Sequence, residues 1–270
     1  MDAAFQMDAG LTAEFDTTQA KEFINAIDLT GTKRAIISQS AATEASAVYD
    51  QAKAQALVVG SGLFSFAQGV DNDVREAISD SALLAQLVAN KNVAFNQDPI
   101  GWFDRYDDVL ENVGWTLQDR SWTEYNANGT SLEVNEQIVA VMTALLGSGA
   151  TALSVITATV NALKQMQPSS SWLTIFSRET QKANIARFQI GLADTAPTGD
   201  VYVTLAGFIL SADQAITQVL FFNWQEAHAH FQGTAGKVSI NRPALVSLGP
   251  SIRSKVRAYQ SDYVSSLIDL

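Results

Sequence analysis

The chain has no cysteine, which excludes disulfides, thiolate catalysis, cysteine-based zinc sites and thioester-linked lipid. Histidine is nearly absent, with two residues in 270. Neither Gly-x-Ser-x-Gly nor His-Glu-x-x-His occurs. Gly60-Ser61-Gly62 lacks both the third glycine of a dinucleotide turn and the Gly-Lys-Ser/Thr of a phosphate loop. No catalytic residue is assigned on these grounds. Basic residues are few, 17 against 28 acids for a net charge of −11, and a nucleic-acid partner is not expected where so few cations can replace phosphate counterions. Residues 1–134 hold 20 acids and 8 bases, residues 135–270 hold 8 and 9, so the first half carries the negative charge. The start, Met1-Asp2-Ala3-Ala4-Phe5, lacks the basic and apolar regions of a signal peptide. The expectation is a cytoplasmic protein, or one exported by a non-classical route or a dedicated secretion system.

What is present is a stretch without any charge, the twenty-six residues from Ile138 to Leu163, reading IVAVMTALLGSGATALSVITATVNAL. It is long enough to cross a bilayer, but it is rich in Ala, Thr, Ser and Gly, which partition poorly, and Gly147-Ser148-Gly149 breaks it in the middle. Ile138, Val141, Met142 and Leu145 follow helical spacing before the break, and Leu153, Ile156, Val160 and Leu163 follow it afterwards. The pattern predicts a buried helical hairpin with Asn135 as N-cap and Glu136 in the first turn. A hairpin that leaves the core for lipid would have the same pattern. A second uncharged patch, Leu57–Val70, is read as the end of a long helix from Thr32 to about Val59 with a break at Gly60-Ser61-Gly62.

Along the chain, residues 1–16 read as a loose arm and residues 17–180 as mainly helical. Helices are predicted from Thr17 or Thr18 to Ile27, from Val74 to about Asn90 behind Asp71-Asn72-Asp73, and from Asp98-Pro99 to Gly114. The last of these carries Trp102, Phe103, Tyr106, Val109 and Leu110 on one face. Its other face, Asp104, Asp107, Asp108 and Glu111, reads as solvated. Residues 115–134 suggest a β-hairpin turning at Asn126–Gly129. Pro168 and Ser169–Ser171 introduce a short helix. Antiparallel strands are expected over 183–241: Ile185–Ile190, Val201–Leu210, a very long Gln218–Gln232, and Lys237–Asn241 after a turn at Gly233–Gly236. Gly249-Pro250 would launch a C-terminal helix over 250–268, burying Val256, Tyr259, Tyr263 and Leu267. The expected class is α+β in a single domain, with a helical layer packed on an antiparallel meander.

One constellation suggests metal chemistry. Strand alternation would place Glu226, His228 and His230 on one face, and two imidazoles with a carboxylate suit Zn²⁺ or Fe²⁺.

The order of features resembles the Erwinia virulence factor (Evf) type of bacterial protein. It does so through GWFDRYDDVLENVGW, the helical hairpin, strands ending in FFNWQEAHAHFQGTAGKVSIN and a basic-faced last helix. The resemblance covers roughly residues 95–265. It implies a factor acting in a host, an α/β fold and an apolar cavity for a fatty-acyl chain. Acylation in that family uses a cysteine, so only a non-covalent acyl ligand carries over.

The leading expectation is therefore a toxin or virulence-type factor that engages membrane or lipid. Leu57, Leu63, Phe64 and Phe66 in the first apolar patch and Val141, Leu145, Ile156 and Val160 in the hairpin are its candidate residues. The alternatives are a metal-dependent enzyme using Glu226, His228 and His230, and a structural or self-assembling protein without catalysis.

Overall fold

A computed structural model describes residues 15–32, 48–117, 121–125, 133–148, 150–196, 198–223 and 228–270. These form an α+β fold: helices on both faces of a nine-stranded sheet of order β3 (Trp115–Thr116), β8 (His230–Ile240), β7 (Val201–Ser211), β6 (Ile185–Thr195), β2 (Gly62–Phe66), β1 (Gln55–Val59), β9 (Ile268–Asp269), with β4 (Thr123–Tyr125) paired to β8 and β5 (Gln181–Lys182) to β6.

At the centre of the sheet, β2 (Gly62–Phe66) runs parallel to β6 (Ile185–Thr195). All the other pairings are antiparallel, including β1 (Gln55–Val59) with β2 and β7 (Val201–Ser211) with β6. Every residue of β1 and β2 is buried, as are eight consecutive residues of both β6 and β7. Strands apolar on both sides need a cover on each face.

One cover is α2 (Asn72–Asn92), buried continuously from Ala77 to Ala89. A helix this deep must satisfy its polar side chains internally. Arg75 donates to the carbonyls of Lys53, Ala67 and Val70 and to Gln55 Oε1, all at 2.8–2.9 Å. Gln86 accepts from the Ser61 amide at 2.9 Å and donates to the Val59 carbonyl at 2.8 Å, clamping the β1–β2 turn. Asp80 accepts from Arg253 Nε at 3.0 Å and from Gln260 at 2.8 Å. Burial raises the Asp80 pKa, and these two bonds oppose the rise. Outside α2 lie α3 (Pro99–Asn112) and α7 (Arg242–Val256), with α1 (Thr17–Ala26) against α7.

The second cover consists of α4 (Val134–Leu146), α5 (Thr151–Gln165) and α6 (Ser171–Thr180). α5 lies over β2 and β6, and α4 lies over β8 (His230–Ile240).

Several expectations are met. α3 starts at Pro99 with Asp98 Oδ1 accepting from the Gly101 amide at 2.9 Å, and it is followed by Gly114 at φ +100°. Ser170 caps α6, and Gly147 at φ +92° breaks the uncharged stretch into two packed helices. Val256, Tyr259, Tyr263 and Leu267 are buried.

Others are corrected. Leu57–Phe66 is a strand pair rather than a helix end, because β1 and β2 sit in the middle of the sheet and two-sided burial outweighs the helical spacing. Of the rest of the predicted Thr32–Val59 helix, residues 48–54 form irregular chain and a turn, and residues 33–47 lie outside the described residues, as do 1–14 of the arm. β3 (Trp115–Thr116) and β4 (Thr123–Tyr125) both pair with β8 instead of with each other, forming one interrupted edge strand. The turn at Asn126–Gly129 is outside the described residues. The hairpin's capping residue is Glu133, in a capping box with Glu136, and not Asn135.

The very long third strand is absent. Val219–Phe221 forms a 3-10 turn, and pairing begins at His230 opposite Ser211, where β7 ends. Gly233–Gly236 is no turn: β8 runs straight through it. A Cβ on Gly233 would come within 2.8 Å of the Phe208 ring, so the glycine makes room for an aromatic neighbour. The C-terminal helix starts earlier, at Arg242-Pro243 behind an Asn241 cap, and Pro250 falls inside it. Gly249 has no Cβ to clash with that proline, which removes part of its helix-breaking effect. The helix stops at Val256, and the chain ends in a short turn, α8 (Gln260–Tyr263), and an edge strand, β9 (Ile268–Asp269).

Close approach of α3 to the sheet depends on Gly207, where a Cβ would stand 2.7 Å from the buried Phe103 ring. Gly207→Ala is expected to lower stability by about 1–3 kcal/mol, measured as the shift of the urea midpoint at unchanged m-value.

Candidate functional site

The hairpin and the sheet face beneath it form the candidate site. On that face the rings of Phe176, Phe188, Phe208, Phe231 and Tyr125 follow one another with centroids 6.1, 5.1, 5.5 and 5.8 Å apart. The seam begins on α6, crosses β6, β7 and β8, and ends on β4. The two central pairs stack, with interplanar angles of 23° and 6°. At the seam's far end, α4 leaves a groove of about 480 Å³ lined by Tyr125, Gln137, Val141, Ala144, Leu145, Gly233 and Ala235, among others. Among the described residues no charged one lines it. Burial raises the Tyr125 pKa above its ordinary value.

The hairpin is uncharged on its solvent side as well as its buried side. Val141, Met142, Ile156, Val160 and Leu163 face inward, while Ala140, Ala144, Gly147, Ser148, Thr151, Ser154 and Asn161 are exposed. A solvent-facing helix surface ordinarily carries charge, as α3 does with Asp104 and Glu111. Four of its hydroxyls are turned inward to the backbone, while those of Ser148 and Thr151 at the tip are on exposed residues. Thr143 donates to the Val139 carbonyl at 2.7 Å, Ser154 to Thr151 at 2.6 Å, Thr157 to Leu153 at 2.9 Å and Thr159 to Val155 at 2.8 Å. Charge returns only at the base of the hairpin, where Lys164 reaches Glu133 at 3.4 Å. The Gly147 end is the neutral tip.

One hydroxyl pair ties the hairpin to the sheet, Ser65 Oγ and Thr159 Oγ1 at 2.9 Å, both buried. The Thr159 proton is committed to the Val155 carbonyl, so Ser65 is the donor.

The sequence candidates divide between two places. Val141, Ile156 and Val160 lie on the inner side of the hairpin and Leu145 on the groove. Leu57, Leu63, Phe64 and Phe66 are 0–2% exposed on central strands, out of reach of any surface while the sheet is intact. For the metal trio, His228 has φ +46°, a left-handed backbone, and the strand begins only at His230. Strict alternation therefore does not operate between them. His230 Nδ1 lies 3.1 Å from Glu124 Oε1 on the exposed edge, and Glu226 is outside the described residues. Among the described residues no group of three His, Asp or Glu could hold a metal ion, the acidic face of α3 included. Sequence reasoning missed the aromatic seam, because its members come from five separate elements and pair across strands.

No family model and no curated protein matches the chain. Among solved structures it is similar to a delta-endotoxin at 14% identity over 77% of this chain and 90% of that one, with a TM-score of 0.39. The Evf virulence factor, the type of protein that the order of features resembles, is matched at 14% identity over 92% of this chain and 91% of that one, with a TM-score of 0.34. The activated Cyt2Ba monomer from Bacillus thuringiensis subsp. israelensis is matched at 15% over 66% and 95%, with a TM-score of 0.33. No residue role is carried over from any of them.

Thr159→Val strands the Ser65 hydroxyl without an acceptor and is expected to cost about 1–3 kcal/mol, much of it recovered in the Ser65→Ala/Thr159→Val pair. Urea unfolding of the three variants measures both terms and their coupling.

Proposed function

We propose that the protein is a toxin or virulence-type factor that engages lipid through the α4–α5 hairpin. The observation that carries this reading is the absence of charge on both sides of a surface hairpin, four of whose hydroxyls, those of Thr143, Ser154, Thr157 and Thr159, donate to its own backbone. Water does not require that arrangement, whereas an apolar medium does. The similar structures bear the names of toxins and a virulence factor, in keeping with the reading, which rests on the hairpin.

Geometry limits the mode of engagement. Among the described residues no helix is long and apolar enough to cross a membrane. α4 and α5 have 13 and 15 residues, about 20 and 22 Å at 1.5 Å per residue, against a hydrocarbon core of about 30 Å. The hairpin enters tip first and lies in the interfacial region, with Lys164, Glu133 and Glu136 left at the headgroups. The uncharged groove beside Tyr125 accepts an acyl chain non-covalently as α4 lifts.

Dye release from liposomes tests the proposal without disturbing the core. Ala144→Lys and Ser154→Lys place charge at exposed positions, so folding is retained, yet each charge opposes burial of the hairpin in the apolar part of the interface. The wild-type chain is expected to release dye and the double variant to release at least about 10-fold less. Equal release by both, or none by the wild type, contradicts the proposal.

A further inference from the structure

Among the described residues two guanidinium groups are fully buried, Arg75 and Arg187, and they are treated differently. Arg75 places Nε, Nη1 and Nη2 on four oxygen acceptors. Arg187, on β6, donates from Nη1 to Ser61 Oγ and from Nη2 to Asn90 Oδ1 at 2.6 Å, while its Nε has no partner. Its planar group is sandwiched between Trp102 and Phe95, with Cζ 3.5 and 4.6 Å from the ring centroids. Among the described residues no carboxylate forms an ion pair with it. Glu179 stands near enough to favour the charge, but its Oε1 is held by Arg178 Nε at 2.6 Å. Burial dominates, pushing the Arg187 pKa down to about 9. A buried cation with only neutral hydrogen-bond partners is costly, and such a group is expected where its counter-ion comes from outside.

Arg187 lines a cavity of about 650 Å³ between the end of α2, the end of α6 with β5 (Gln181–Lys182), and the C-terminal turn. Lys91, Arg178 and Lys182 share its wall, and Glu179 is the one acid among the lining residues. Four bases and one acid form this cavity in a chain whose net charge is −11. Lys91 is neutralised by Asp28 at 2.8 Å and Arg178 by Glu179. Lys182 meets only Asn96 Oδ1, at 3.2 Å. Two cations, Arg187 and Lys182, thus face the cavity without a carboxylate partner. A second buried polar atom in its wall, Thr32 Oγ1, has no hydrogen-bond partner. Val93, Ala94 and the Phe95 that stacks on Arg187 supply apolar wall.

We propose that this cavity binds a phosphate ester, either a free one or a phospholipid headgroup, with Arg187 and Lys182 holding the phosphate and Thr32 donating to it. Two cations suit a dianionic group better than a single carboxylate. The volume leaves room beyond the phosphate itself, and the Val93–Phe95 wall suits the ester's carbon skeleton. The site stands apart from the hairpin and does not depend on the lipid reading of α4–α5.

The test is calorimetric titration of the full chain with sn-glycerol 3-phosphate, at ionic strength matched with chloride, in parallel with flotation on phosphatidate and phosphatidylcholine vesicles. Saturable binding of glycerol phosphate assigns a free ester, and binding confined to phosphatidate vesicles assigns a headgroup. Lys182→Gln changes an exposed side chain and keeps the fold, and affinity is expected to fall by about 10-fold. Arg187→Gln is expected to abolish binding. If that variant fails to fold, Lys182→Gln alone decides. Binding of neither probe, or affinity unchanged in Lys182→Gln, overturns the proposal.

Discussion

The central strands are buried on both faces, and the rest of the structure follows from the need to cover them. β2, β6 and β7 expose no polar side to which water has access, so neither helical layer is optional in water. Uncovering Phe188, Phe208 and Phe231 alone would cost about 5–9 kcal/mol at roughly 1.5–3 kcal/mol per large apolar side chain. That is comparable with the whole stability of an ordinary domain, about 5–15 kcal/mol. The hairpin therefore stays closed in water. It opens only where another apolar phase covers the seam as it leaves, which is the physical content of the lipid reading.

The two covers are attached by different means. α2 is locked by directed polar contacts: Arg75 on four acceptors, Gln86 on the β1–β2 turn, and Asp80 with Arg253 and Gln260. Removing a partner from any of these leaves a buried polar group unsatisfied. The hairpin is held mainly by apolar packing, with the Ser65–Thr159 hydroxyl pair as its side-chain tie to the sheet. Apolar packing is non-directional and is matched by lipid tails, whereas the polar lock on α2 is not. Of the two layers, the α4–α5 layer is the one whose attachment an apolar phase can replace.

The sequence was most legible where one local signal governed. Asp98-Pro99, Ser170 and Gly147 marked helix ends by capping and backbone chemistry, and Val201–Ser211 showed as a strand from its continuous apolar run. It misled where tertiary burial overrode spacing. Leu57–Phe66 has residues that fit a helix, but two-sided burial in mid-sheet makes it a strand pair. Gly233 and Gly236 resembled turn residues because a glycine that makes room for Phe208 is chemically the same as one that bends the chain. Pro250 resembled a helix start, although the working start is Pro243 behind Asn241. The hairpin was readable in outline from its missing charge. The seam below it and the Arg187 cavity were not, since Phe176, Phe188, Phe208 and Phe231, like Lys91, Arg178 and Arg187, come together only through strand register and layer packing.

The claim that the hairpin parts from the sheet is open to direct mechanical test, because a chain without cysteine accepts an engineered disulfide with no competing thiol. Ser65 Oγ and Thr159 Oγ1 are 2.9 Å apart, close enough for a Ser65→Cys/Thr159→Cys bridge to form with small adjustment. Dye release from liposomes by this variant, oxidised and then reduced, is the measurement. The account predicts no release while the bridge is closed and wild-type release after reduction. Equal release in both states would show that release does not require the hairpin to leave the sheet, and would contradict it.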